Sequence, residues 1–549
     1  MRLSSFHVQN FRRLKDVRIS VDPDNTIFVG ANNSGKTSAT HVFRMFFPSA
    51  GTPRFTVHDF SVHCWKQFDD AGLAETVCDV VLPKIQLDLW FDIENADLHR
   101  VIPLLPNLDW EANPVGVRIL FKPTNPDETI VRFREALSLA ESVLTDTGRS
   151  RSKFQPWPKS LSDYLDRKLS EEYGLSYSVL DRDSFDEDWV EDLSKIPHQL
   201  ASNPTEARTI LATLVRIDFM DAQRFLSDTE SSGKSEDLSR RLGRFYKKNL
   251  DKYDDNFEAT RALADSEQRL NEHLAHVFKP TLDTLNKLGY PGFADPELLI
   301  RSEVDPESIF SSKNTSVHYG LGSPDGAADT IAATLPGRYN GLGFKNLIYM
   351  VIEMLDFEER WIDDDTNRAP LHLIVVEEPE AHLHAQLQQV FINQIRAVLT
   401  EVSPFHTQLV VTTHSSHIIY ECGFSPIRYF RRSNTAAELS STKVLDLSTL
   451  KTSTEETIRF LRRYMKLTHC DLFFADAVVL VEGNVERILL PLMIERVAPN
   501  LKSRYLTILD LGGAFAYRFR ELIEFLGLTT LIITDLDSVA AKSIAHVDE

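Results

Sequence analysis

Residues 30–37 read "GANNSGKT" and lie between an apolar run, "NTIFVG", and a segment of helical character, "SATHVFRMFF". Strand, glycine-rich turn and helix in this order form the context that a phosphate-binding loop requires. Gly30, Asn32, Asn33, Ser34 and Gly35 supply successive backbone N–H groups that can wrap phosphate oxygens, and the helix N-terminus adds its partial positive charge. Lys36 is placed to reach the β- and γ-phosphates, and Thr37 to hold Mg²⁺. A chain that begins this way must build a parallel sheet around the loop.

Two later strands supply the acids such a site needs. "LHLIVVEEPEAHLH" ends a buried apolar run on Glu377 and Glu378, the first to position Mg²⁺ through water, the second to polarise the attacking water. Adjacent carboxylates at a strand tip repel one another, and a metal–nucleotide site provides the compensating cation. "TQLVVTTHSSHII" brings His414 to the tip of another strand, within reach of a γ-phosphate. His382 and His384 are open to a metal-ligand reading at this point.

The last hundred residues begin a new β/α series, "AVVLVEG", "YLTILDLGG" and "LTTLIITDLDS". Its apolar strands stop on Glu482 and on Asp535 and Asp537, and loops beyond the carboxyl ends of parallel strands gather at one edge. No compensating base is read nearby in sequence. Oxygen donors of this kind suit Mg²⁺ or Mn²⁺, which can activate water and stabilise the leaving oxygen of a phosphodiester. Either strand end taken singly is also explained as a helix cap.

In this order the motifs resemble the ABC-type ATPase head of the SMC, RecF and OLD (overcoming lysogenization defect) group. The resemblance implies a Walker A at 30–37, a Walker B at 373–378, a D-loop at 380–384 in place of metal-binding histidines, and an H-loop at His414. "YNGLGFKNL" stands where the signature would be, with Gly341 and Gly343 facing a nucleotide held by another head, although the serine of the usual signature is missing. Gln86 and Gln223 both qualify as the Q-loop glutamine, and Gln223 is preferred for the adjacent Arg224. The E-G, "DLGG", D-x-D series resembles the Toprim fold of topoisomerases, primases and OLD nucleases. It implies metal ligands at Glu482, Asp535 and Asp537, with Glu486 as the additional acid of the OLD version or, alternatively, a helix-terminal acid.

The implied fold is α/β: an ABC/SMC-like head over 1–150 and 336–450, a helical insertion serving dimerisation over 151–335, and a Rossmann-like Toprim domain over 451–549. The chain stops twelve residues after Asp537, so this domain is expected to be incomplete. Residues 433–450 read as a linker. The expected activity is an ATP-binding, Mg²⁺- or Mn²⁺-dependent DNA endonuclease, a homodimer or larger homo-oligomer, in bacterial anti-phage defence of Gabija-like or retron-associated type. A helicase, or a retron reverse transcriptase with its nucleic acid, is the kind of companion expected. The alternatives are an SMC/RecF-like ATPase whose Toprim part docks a partner, and a nuclease acting on RNA.

A formal charge of −20 opposes general electrostatic binding of nucleic acid, so DNA contact is assigned to local basic clusters. "RYFRR" (428–432) and the segment carrying Arg459, Arg462, Arg463 and Lys466 are the candidates, set against the plainer reading of a solvated face. No apolar run is long enough to cross a bilayer and no signal-peptide core opens the chain, which points to the cytoplasm. Four cysteines without CxxC spacing argue against a zinc knuckle or a disulfide framework.

Overall fold

The computed structural model describes residues 1–48, 54–74, 81–107, 110, 114–146, 157–221, 342–364, 367–402, 405–433, 441–450, 459, 461, 467–510 and 516–534. Between 221 and 342 it describes 261, 265–266, 268–273, 276, 279, 318–320 and 334–336. The chain divides into two units, one of residues 1–222 with 357–549, the other of residues 223–356.

The first unit is organised by three sheets. β1 (Arg2–Phe11), β2 (Leu14–Ser20), β4 (Ile85–Asp92), β5 (Val115–Pro123), β6 (Tyr173–Leu180) and β7 (His198–Gln199) form an antiparallel sheet in the order β2-β1-β4-β5-β6-β7. β3 (Asn25–Val29), β8 (Val215–Met220), β11 (Leu371–Glu377), β12 (Thr407–Thr413), β13 (Ile427–Ser433) and β14 (Ser441–Asp446) form the second, in the order β14-β13-β3-β12-β11-β8. All its pairs are parallel except β13 with β14. β12 is buried along its whole length, as its continuous β-branched run requires of a central parallel strand. β15 (Ala477–Val481), β16 (Leu506–Asp510) and β17 (Thr529–Ile533) make a small parallel sheet with β15 in the middle.

Helix α1 (Lys36–Phe46) leaves the phosphate-binding loop and packs between the two large sheets. Phe43 meets Phe6 of β1 edge-on at 4.8 Å, and Phe6 in turn lies 6.5 Å from Phe28 of β3. These rings weld both sheets to the helix in one core.

The structure departs from the expected domain division. Residues 161–220 do not belong to a helical insertion: β6 extends the antiparallel sheet beside β5, and β8 pairs with β11 in the nucleotide sheet. The charged helices Leu161–Glu172 and Pro204–Leu214 suggested an insertion because each strand that follows them is short. The expected linker 433–450 also differs, since 441–446 is strand β14, paired residue for residue with β13. In the second unit the described residues include an antiparallel pair, β9 (His318–Gly320) with β10 (Thr334–Pro336), helical positions between 261 and 279, and most of the helix Leu342–Ile362.

One buried charge pair holds the antiparallel sheet in register. Asp88 of β4 is fully buried and takes two hydrogen bonds from Arg118 of β5, at 2.8 and 2.9 Å. Burial pushes the Asp88 carboxyl up, but Arg118 and His7 outweigh it and hold it below the usual carboxylate range. Replacing Arg118 with Met would strand that carboxylate, and we expect a loss of about 3–5 kcal/mol. Urea unfolding followed by tryptophan fluorescence measures it, and an unchanged midpoint would refute this role for the pair.

Candidate functional site

The parallel register decides which residues meet. Val29 pairs with Thr413, and Thr412 with Glu377, so the loop after β3, the acids after β11 and His414 after β12 emerge at one sheet edge. Gly35, the residue before α1, has φ of 102°, and a Cβ there would lie 2.9 Å from Thr442 Oγ1. At Gly30 a Cβ would collide with the Phe430 carbonyl. Thr442 of β14 donates to the Ser34 carbonyl at 2.7 Å. The β13–β14 hairpin therefore braces the loop from behind, a role the linker reading missed.

Lys36 is buried, with its Nζ 2.6 Å from the Gly30 carbonyl and 3.1 Å from that of Ala31. Burial pulls its pKa down to about 8, against the opposing pull of Glu378 and Glu380. Asn32, Asn33 and Thr37 are exposed along the loop and at the start of α1, where a nucleotide would have to lie. Thr40, one turn beyond Lys36, donates to Glu377 Oε1 at 2.7 Å and fixes that carboxylate. Its spacing of four from Lys36 is a sequence signal that could have found it.

Glu377 has its pKa raised by burial, with Thr40 and Arg44 opposing and Asp221 and Glu378 adding to it. Glu378 sits at φ 44°, its backbone N–H donating to the Thr412 carbonyl at 3.0 Å. His414 Nε2 lies 3.5 Å from Glu378 Oε1. Burial, helped by the charge of Lys36, drops the His414 pKa to about 4, so the ring is neutral at neutral pH. Glu380 takes the His414 backbone N–H at 2.5 Å, while its other oxygen, Oε2, is buried with no hydrogen-bond partner among the described residues. Burial raises the Glu380 pKa too. Carboxylates that burial disfavours, beside an exposed threonine, fit a divalent cation carried with a nucleotide, held by Thr37 and Glu377.

Several expected residues take other places. Gln86 is buried within β4 and donates to Asp88 at 2.9 Å, which removes it as a Q-loop candidate. Gln223 and Gly341 lie outside the described residues, and Gly343 occupies the first turn of the helix Leu342–Ile362, in the second unit. "RYFRR" is not a basic groove: Arg428, Tyr429 and Phe430 are buried in β13, Arg428 pairs with Asp446 at 3.1 Å, and Arg432 with Asp476 at 2.8 Å. Arg462, Arg463 and Lys466 lie outside the described residues.

At the small sheet, Val481 pairs with Asp510 on one side and Ile533 on the other, and half-buried Glu482 follows directly on β15. Asp535 and Asp537 lie outside the described residues; in sequence the first stands two positions after Ile533. Glu486 Oε2 accepts the Gly483 N–H at 3.0 Å and closes the first turn of the helix Asn484–Val497. Asp510 is paired with Arg487 at 2.8 Å, so a compensating base does stand among these acids. Among the described residues no three His, Cys, Asp or Glu side chains assemble a metal cluster.

This small domain is docked on the ATPase sheets. Phe474 lies beside the His414 ring, 6.1 Å between centroids, and Phe473 meets Tyr429 edge-on at 5.7 Å. Ser416 donates to Asp471 at 2.9 Å.

Fold and loop together define a P-loop ATPase carrying a C-terminal Toprim domain. Residues 1–419 match the AAA ATPase domain family, to which the chain belongs, and residues 473–537 match the Toprim domain of overcoming-lysogenization-defect-protein-like proteins. Among named relatives, the chain is 24% identical to endonuclease GajA of Bacillus cereus strain HuB5-5, over 96% of this chain and 72% of that protein. It is 25% identical to endonuclease GajA of strain VD045 over 32% of this chain and 28% of that one. Solved SMC head domains align at low scores: that of Thermotoga maritima has a TM-score of 0.32 at 11% identity, covering 81% of this chain and 99% of its own. The Pyrococcus furiosus head, bound to the C-terminal domain of ScpA, has a TM-score of 0.36 at 13% identity, covering 85% and 100%. Among the described residues no helix is long and apolar enough to cross a membrane.

The depressed Lys36 gives the nucleotide site a measurable signature. A polyphosphate stabilises the charged ammonium and restores its proton, so ATP binding should take up protons increasingly as pH rises from about 7.5 to about 9. Calorimetry in buffers of different ionisation enthalpy counts them. A flat count over that range would remove Lys36 from the phosphates.

Proposed function

We propose that the chain is a metal-dependent DNA endonuclease whose Toprim site is controlled by the nucleotide state of the ATPase sheets. The observation that carries this reading is Glu482 at the tip of the central Toprim strand, with β17 level beside it, in a domain that packs against the His414 edge of the nucleotide site. In this reading Glu482, Asp535 and Asp537 hold the Toprim cation, with Glu486 dividing its oxygens between the cation and the Gly483 N–H. Bound Mg²⁺ or Mn²⁺ would supply charge neutralisation and an activated water at the scissile phosphate. Arg487 holds Asp510 aside and keeps a positive charge within reach of a phosphodiester.

At the nucleotide edge, Lys36 and the loop N–H groups bind phosphates, Thr37 and Glu377 orient the cation, and Glu378 orients water. Neutral His414 reads the γ-phosphate. His414 also touches Phe474, and the helix Ser416–Cys422 behind it bonds to Asp471, so a shift of His414 is transmitted to the segment leading into β15. Gly341 and Gly343 belong, in this reading, to a signature segment that faces the nucleotide of a second copy, making the active species a homodimer or larger. Gln223 is the Q-loop glutamine that the family resemblance implies for this reading. In this reading the enzyme serves bacterial anti-phage defence, beside a companion such as a helicase or a retron reverse transcriptase.

One observation favours a second reading, in which the Toprim part docks a partner without cutting. Val485, Ile488, Leu489, Leu492 and Met493 of the helix Asn484–Val497 are exposed. Incubating plasmid with Mn²⁺ or Mg²⁺ separates the two readings: the endonuclease cuts, and Asp535→Ala abolishes cutting. Cutting by neither chain favours docking, and equal cutting by both would exclude this site.

The control step has its own test. Phe474→Ala should leave ATP affinity unchanged while erasing the difference in cutting rate between nucleotide-free and ATP-bound enzyme. A difference that survives would remove the His414–Phe474 contact from the control path.

A further inference from the structure

A cavity of about 520 Å³ opens in the first unit, at the sheet edge opposite the nucleotide site. Its wall is built from the end of α1 and the two residues after it (Phe46, Phe47, Pro48), from Tyr177 of β6, from Arg208 on the helix Pro204–Leu214, from the start of β8, and from Arg360, Trp361, Asp364 and the stretch 367–369. β8 and β11 are parallel with Val215 paired to Leu371, so the cavity lies at their N-terminal ends and Glu377 at the other. Seven residues of β11 separate the two sites by roughly 20 Å. The cavity is therefore no extension of the nucleotide pocket.

Its chemistry is cationic and lined with rings. Arg208, Arg216, Arg360 and Arg368 line it with Asp218 and Asp364; Arg360 stacks on Phe357 and Arg368 on Phe405, which leaves Arg208 as the guanidinium that the argument uses. Asp218 is committed to Arg216 at 2.9 Å and to His372 at 3.0 Å. Arg208 rests on the neutral Pro48 carbonyl at 3.3 Å, a contact that orients its guanidinium without cancelling the charge. Tyr177 is 95% buried, being 5% exposed, yet its hydroxyl has no hydrogen-bond partner among the described residues. Leaving a buried phenol unpartnered is unfavourable, so this hydroxyl is a directed donor available to a ligand. The Arg208 and Tyr177 side chains both belong to the wall of the same cavity.

We infer that this cavity is a second anion site, taking a small phosphorylated molecule of nucleotide size. Guanidinium forks match phosphate oxygens in pairs, a phenol adds one directed donor, and the volume lies in the range of small-molecule pockets. The site is tied to the catalytic edge by two rigid elements. α1 starts with Lys36 and ends with Phe46 in the cavity wall, and β11 starts beside the cavity and ends with Glu377. Occupancy of the cavity thus biases the elements that carry the nucleotide site, the arrangement an effector needs.

The test uses the full chain with Lys36→Ala, which removes the phosphate-loop lysine from competition. Inorganic pyrophosphate and AMP are titrated separately by calorimetry at low salt. Binding of at least one probe is expected, weakened about tenfold by Arg208→Ala and about threefold by Tyr177→Phe. Tyr177→Phe keeps the ring in the core, so its melting curve should match that of the Lys36→Ala parent. This arm decides the question if Arg208→Ala fails to fold. Failure of both probes to bind, or affinities indifferent to Tyr177→Phe, overturns the proposal. So does a defect confined to binding of a double-stranded oligonucleotide, which would make Arg208 a DNA contact instead. The proposal does not depend on Toprim chemistry, and a chain that never cuts DNA can still pass or fail it.

Discussion

The parallel pairing of β12 between β3 and β11 is the constraint on which everything else in the nucleotide site rests. Register alone puts Gly30, Glu378 and His414 on one edge, because Val29, Thr413, Thr412 and Glu377 are locked opposite one another. A slip of one residue in β12 would turn its buried side chains to the other face and move His414 about 3.3 Å along the strand. The all-buried pattern of β12 and the ring contacts Phe6–Phe43 and Phe6–Phe28 make that slip costly. The catalytic edge is specified by a core that holds none of the catalytic residues.

Charge sets the second condition. Lys36, Glu377, Glu380 and His414 share a partly dry pocket in which burial disfavours their ionised forms. Lys36 is pulled down to about 8 and His414 to about 4, while Glu377 and Glu380 are pushed up. These shifts describe a site biased towards neutrality that phosphates and a cation would recharge together. Binding energy is available because the groups are held out of water before the ligand arrives.

Much of this was legible in the sequence for a physical reason. β3, β11 and β12 are short, apolar and terminated by chemistry-bearing residues, so each strand announces both its burial and its functional tip. The hairpin β13–β14 was less readable. "RYFRR" looks like a basic patch, yet Arg428 is buried against Asp446, and the ion pair links residues 18 positions apart across a strand pairing that composition does not announce. The insertion boundary was missed likewise: β6 and β8 follow charged helices and gain strand character from their partners β5 and β11. At the Toprim end Glu482 was readable from its strand, whereas the Arg487–Asp510 pair requires knowing that β16 lies beside β15.

The docking of the Toprim domain bears on how one site can govern the other. Among the described residues its contacts with the ATPase sheets include two ring pairs, the hydrogen bond from Ser416 to Asp471, and the pair Arg432–Asp476. Exposed ion pairs contribute little, about 0–1 kcal/mol. Buried ring contacts contribute more, and Phe473 is fully buried against Tyr429. Phe473 thus behaves as the anchor, and Phe474, its neighbour, as the part exposed to His414. In the proposed control path, an anchor beside the His414 contact would let a small displacement of His414 act on a fixed lever. That division between adjacent phenylalanines is the simplest physical basis for a nucleotide state that reaches Glu482.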